Sequence, residues 1–104
     1  METLHIYAQS CWHDEAWIAG NREGLSRLRD AIDKALLDGK GYSDHVFTTD
    51  GEGYRVIAMK LTDEELGKLG MPYTDDIAQG GGTAWPWTMV PNAEVTSRPT
   101  RAID

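Results

Sequence analysis

Cys11, Trp12, His13, Asp14 and Glu15 set a thiol, an imidazole and two carboxylates in one run, the densest group of reactive side chains in the sequence. A thiol beside an imidazole is the material of a nucleophile and its base, and an imidazole beside a carboxylate that of a proton relay. Residues two apart on an extended segment point the same way, but that alone does not bring Cys11 into contact with His13. Metal ligation draws donors from separated segments, or shows spacings such as Cys-x-x-Cys and His-Glu-x-x-His. Neither spacing occurs, and His5 and His45 are the only other histidines. The chain also lacks a Gly-x-Ser-x-Gly elbow, a Walker-type phosphate loop and a dinucleotide fingerprint. Asp63, Glu64 and Glu65 fall in the first turn of a predicted helix, where the helix dipole favours acids for structural reasons. Asp75 and Asp76 follow Thr74 in the same manner and face no second carboxylate pair. No catalytic residue, metal or cofactor is therefore expected. A small hydrolase using His13 with Asp14 or Glu15 stands as a subsidiary reading.

The aromatic residues suggest binding instead. The chain holds four Trp and four Tyr, and aromatic rings stack on nucleobases while arginine and exposed helix N–H groups hold phosphates. On that chemistry the candidate ligand-binding residues are Trp12 and Trp17 for stacking, His13 and Arg55 for polar or phosphate contacts, and Asn21 with Arg22 at a helix start. The competing structural role is plain: Trp17, Trp85 and Trp87 fill a small core or a dimer seam.

The elements that must position these groups follow from periodicity. Thr3 to Gln9 alternates, with Leu4, Ile6 and Ala8 opposite His5, Tyr7 and Gln9, and Glu15 to Ala19 alternates again, which predicts two paired strands. After Gly20, Leu25, Leu28, Ile32, Ala35 and Leu36 recur at helical spacing, with Asn21 as N-cap and Gly39 as the left-handed stop. This helix is expected to lie on the sheet by that apolar face. His45 to Thr49 and Tyr54 to Leu61 flank Asp50-Gly51-Glu52-Gly53 and read as a hairpin. Its second strand, apolar on both faces, is expected to be central. Thr62 and Glu65 form a capping box, with Leu61 and Leu66 as its staple, for a short helix ending near Gly70. Tyr73 to Gln79 suits a further helical turn, Gly80-Gly81-Gly82 a flexible joint, and Trp85 to Val90 is too apolar to be a free tail.

The predicted fold class is α+β: a four-stranded, mainly antiparallel sheet (β-β-α-β-β) with one long helix on one face. A short helix and a Trp-containing C-terminal segment follow. Residues 1–90 form one domain and residues 91–104 a polar tail, which suits a chain of 104 residues with room for one core. The sheet's other face, bearing Tyr7, Trp17 and Phe47 or Tyr54, is expected to be covered by the Trp85 to Val90 segment or by a second copy, so a homodimer is expected.

A formal net charge of −7 opposes binding to duplex nucleic acid, whose affinity rests on neutralised phosphates. It is compatible with a basic protein partner or with a small anion in a locally basic pocket. The lone Cys11 precludes an internal disulfide and fits a reducing cytoplasm. The N-terminus has no signal-peptide pattern, and no apolar run approaches a membrane span, so no membrane role is expected.

The run from Trp12 to Leu25, followed by Leu28, Ala31, Ile32 and the Asp50-Gly51-Glu52-Gly53-Tyr54 turn, resembles small uncharacterised proteins of bacteria and their phages over about the first two thirds of the chain. The chain is also similar to the compact phage proteins that sequester cyclic-nucleotide immune signals, the sponges of anti-CBASS and anti-Thoeris type. That resemblance implies a host-cytoplasmic homodimer that binds a small nucleotide without hydrolysing it, and no binding residue is carried over from it. The alternative reading is an acidic protein-binding inhibitor such as a toxin-immunity protein, steered to a basic nuclease by charge.

Overall fold

The computed structural model describes residues 1–78 and 80–89, so the polar tail expected over residues 91–104 lies outside the described residues, as does Val90. The chain runs β1 (Leu4–Tyr7), β2 (Trp17–Gly20), α1 (Arg22–Asp38), β3 (Lys40–Tyr42), β4 (Val46–Phe47), β5 (Gly53–Tyr54), β6 (Ile57–Met59) and α2 (Asp63–Leu66). Single 3-10 turns follow at Asp76–Ala78 and Pro86–Met89. It is an α+β fold of one long helix and short antiparallel strands.

The expected four-stranded sheet is not found among the described residues. The strands pair as three separate two-stranded antiparallel ladders, β1 with β2, β3 with β6 and β4 with β5. The cause lies at Arg55-Val56, where the strand predicted over Tyr54 to Leu61 breaks in two. The Val56 amide donates to the Ser43 hydroxyl and the Ser43 amide to the Val56 carbonyl, both at 2.9 Å, and so the chain leaves β4 for β3. Thus β6 pairs only with β3 among the described residues and is not a central strand. The first and third ladders are joined by a parallel bridge between Thr3 and Phe47, with the Phe47 amide donating to the Glu2 carbonyl at 2.8 Å.

The caps of α1 are those predicted: the Asn21 side chain accepts from the Gly24 amide at 2.8 Å, and Gly39 closes the helix at φ 93°. Its packed face is so only in part, since Ala35 belongs to it as expected but Leu25, Ile32 and Leu36 do not. Gly24, Ala31 and Ala35 are buried, while Leu25, Ile32 and Leu36 are exposed, about 100° further round the helix at 100° per residue. The helix sits too close to its neighbours for large side chains there. A β-carbon on Gly24 would collide with the Thr3 carbonyl, and one on Gly41 with the Ala31 carbonyl and the Lys34 side chain.

Leu4, Ala31, Ala35 and Val46 form the buried apolar core. Tyr54 closes it by donating its hydroxyl to the Leu4 carbonyl, and burial raises that hydroxyl's pKa. Arg27 clamps one flank of the helix, bonding Glu2 at 2.9 Å and Asp44 at 2.7 Å.

Beyond β6 the capping box of Thr62 and Glu65 is present, yet α2 ends at Leu66 with Gly67 as its cap, short of Gly70. The chain then makes a loop whose ends meet. The Gly70 amide donates to the Ala84 carbonyl at 2.9 Å, and the Thr83 and Ala84 amides both donate to the Lys68 carbonyl. Gly82 is pressed against the backbone of Leu69 and Gly70, and Trp85 against Gly70, so Trp85 docks on this turn rather than on the sheet face it was expected to cover. No helix among the described residues is long and apolar enough to cross a membrane.

Candidate functional site

Tyr7 and Trp17 stand directly opposite each other where β1 pairs with β2. Strand alternation places them on the hairpin face away from buried Leu4, and they remain 52% and 62% exposed. Trp12, from the loop joining the strands, is also exposed. Three large aromatic groups therefore belong to one hairpin, and the expected cover over Tyr7 and Trp17 is absent among the described residues.

The base of this face is tied down by hydrogen bonds through His5. Thr49 donates its amide to His5 Nε2 at 3.0 Å, which leaves the proton on Nδ1 to donate to the Tyr7 hydroxyl at 2.6 Å. His5 thereby fixes Tyr7 and ties the first hairpin to the β4–β5 turn. The tip is ordered as well: the Ser10 amide and hydroxyl donate to the Asp14 carboxylate at 3.1 and 2.7 Å. The Ser10 hydroxyl, then the Ser10 and Glu15 amides, hold that carboxyl below the usual carboxylate range. His13 sits within this turn at φ 66° and is exposed. Asp14 is thus committed to Ser10, which explains the polar cluster at Cys11 to Glu15 as a built turn. Among the described residues no three His, Cys, Asp or Glu side chains converge as a metal site requires.

The six sequence candidates divide. Trp12, His13 and Trp17 share the hairpin, with Arg22 following β2 at the first position of α1. Asn21 is used up structurally: its side-chain oxygen accepts from the Gly24 and Thr3 amides, and its side-chain nitrogen donates to the Met1 carbonyl at 2.8 Å. Arg55 lies over the Tyr42 ring, 4.8 Å from its centroid. It lines a recess of about 550 Å³ with Arg27, Asp44, His45 and Phe47, and none of Trp12, His13 or Trp17 lines that recess.

Two further features come from outside the sequence candidates. An apolar cleft of about 740 Å³ is lined by Met71, Pro72, Tyr73, Trp85 and Trp87 among others, within the size range of small-ligand sites. Its two indoles are stacked, 5.4 Å apart and 7° from parallel. The segment that forms its edge reaches the hairpin tip, the Thr74 amide donating to the Gln9 carbonyl at 3.2 Å and the Asp75 amide to the Ser10 carbonyl at 2.8 Å. The signal in the sequence was Trp85-Pro86-Trp87 beside a glycine run, but nothing local showed that Gly70 receives Trp85. The second feature, a groove of about 850 Å³ along α1 and β3, mixes Arg27, Lys34 and Lys40 with Asp30, Asp38 and Asp44. These charges offset one another, so the groove is a poor anion cradle.

Comparison with protein-family models, with curated proteins and with solved structures finds no match to this chain.

Proposed function

We propose that this protein is a non-catalytic binder that sequesters a small cyclic nucleotide, of the kind phage proteins withdraw from host immune signalling. The observation that supports this reading is the exposed Tyr7–Trp17 pair on a braced hairpin, with Trp12 also exposed in the loop that joins its two strands. A ring held open to solvent by a fixed scaffold offers a stacking platform at little ordering cost. His13 and Arg22 supply the polar and positive groups of the same hairpin and helix start. The net charge of −7 disfavours long nucleic acid, whereas a ligand with two or three phosphates needs only a few local donors.

The test is to incubate the protein with cyclic dinucleotides, cyclic trinucleotides and cyclic ADP-ribose isomers, and to follow free ligand chromatographically before and after heat denaturation. Loss followed by intact release supports sequestration. A chemically altered product supports the hydrolase alternative, and ligand that stays free throughout removes the nucleotide reading for that panel.

The acidic balance favours a second reading, a protein-binding inhibitor of toxin-immunity type. Such an inhibitor would bind a basic nuclease with an association rate that falls steeply as salt rises.

A further inference from the structure

Four large apolar side chains of α1 lie open to solvent: Leu25 is 43% exposed, Ile32 44%, Leu36 62% and Leu37 80%. Helices pack by ridges of residues four apart. On this side of α1 one such ridge reads Leu28-Ile32-Leu36, and the next reads Leu25-Arg29-Asp33-Leu37. The second ridge is its own complement when reversed, since Leu37 then stands opposite Leu25 and Asp33 opposite Arg29.

We propose that a second copy of the chain packs on this face, α1 against α1 and antiparallel, about a two-fold axis level with Ala31. Each Leu25 then meets the partner's Leu37, and each Arg29 meets the partner's Asp33, so every pair is made twice, as a closed two-fold interface requires. A parallel arrangement in register would set Arg29 against the partner's Arg29, so the charges select the antiparallel one. Within the single chain these charges are poorly used. Among the described residues Arg29 pairs only with its neighbour Asp30, at 3.2 Å with both side chains about two-thirds exposed, a geometry of little energetic weight. Asp33 has no ion pair among the described residues. The opposite flank of α1 is already occupied by β3 and by the Arg27 clamp to Glu2 and Asp44, which leaves this face for association. The interface does not depend on the nucleotide reading and moves the dimer seam from the sheet to the helix.

Sedimentation of the full chain over a wide concentration range tests it, with a dimer of twice 11.6 kDa expected. R29D and D33R should each weaken the dimer about tenfold or more by setting like charges together, and the R29D/D33R double swap should restore it to within a few-fold. L37E should yield monomer with unchanged circular dichroism, because Leu37 is outside the packed face. A chain monomeric at every concentration overturns the proposal. A dimer indifferent to both single reversals, or one that persists in L37E, overturns it equally.

Discussion

Asn21 and Thr3 are bonded to each other twice: the Thr3 amide donates to the Asn21 side-chain oxygen and the Asn21 amide donates to the Thr3 carbonyl, each at 3.1 Å. The same side chain caps α1 through Gly24 and reaches the Met1 carbonyl. One residue therefore fixes where the helix begins relative to β1. Asn21→Ala should lower the unfolding free energy by about 1–3 kcal/mol, for the lost cap and the amides left without partners. Urea denaturation measures this. Undiminished stability together with lost ligand binding would return Asn21 to the ligand set.

Trp17 and Tyr7 give the opposite expectation, because both are more than half exposed and lie away from the core. Trp17→Ala should leave the denaturation midpoint nearly unchanged while weakening nucleotide retention about five- to a hundredfold, the range for one lost stacking partner. Tyr7→Ala should act similarly. Retention equal to wild type in both variants would sink the hairpin as the binding surface and direct attention to the cleft at Trp85 and Trp87.

Gly70 is the seat of Trp85, and a β-carbon there would collide with the indole. Gly70→Ala should displace the ring and cost about 1–3 kcal/mol, as overpacking does. Tryptophan fluorescence should shift to the red at the same time. An unshifted spectrum with full stability would mean that the Trp85 segment is not seated on Gly70.

Acid should destabilise the fold in a defined window. The Ser10 hydroxyl lowers the pKa of Asp14, and the Thr48 hydroxyl, followed by the Glu52 amide, lowers that of Asp50. Glu2 is lowered first by its own backbone amide and then by Arg27. A carboxyl with a lower pKa when folded contributes its full stabilisation above its unfolded pKa and loses it as pH falls through the folded value. The thermal midpoint should therefore be level near neutrality and fall below about pH 4, the ordinary carboxylate range. Asp14→Asn should make that fall shallower, and a variant profile that parallels wild type would show that the Ser10 bonds contribute nothing.

The parts of the fold legible in the sequence are those governed by neighbours along the chain. Asn21 and Gly39 bracket α1, and Thr62 and Glu65 start α2, because each cap is satisfied within a few residues. The rotational setting of α1 was not legible. Hydrophobic periodicity picks out Ala35 but gives most weight to Leu25, Ile32 and Leu36, whereas the packed face joins Ala35 to Gly24 and Ala31, whose merit is small size against Thr3 and Gly41. Strand β3 escaped for a related reason, since Lys40-Gly41-Tyr42 has neither alternation nor length and exists through its register with β6. In the candidate site, Trp12, His13, Trp17 and Arg22 were placed on one hairpin and the helix after it. Arg55 was not, because the break at Val56 that carries it toward Tyr42 depends on Ser43, thirteen residues earlier.

The bonds from Thr74 to Gln9 and from Asp75 to Ser10 make the hairpin tip one end of a strap whose other end is pinned at Gly70 and Ala84. A pull on the tip is thus transmitted along the backbone toward the indoles of Trp85 and Trp87. The shortest covalent path from the tip to the seat of Trp85 at Gly70 is the stretch 71–73, so a displacement of the tip would be read first in the emission of Trp85 and Trp87.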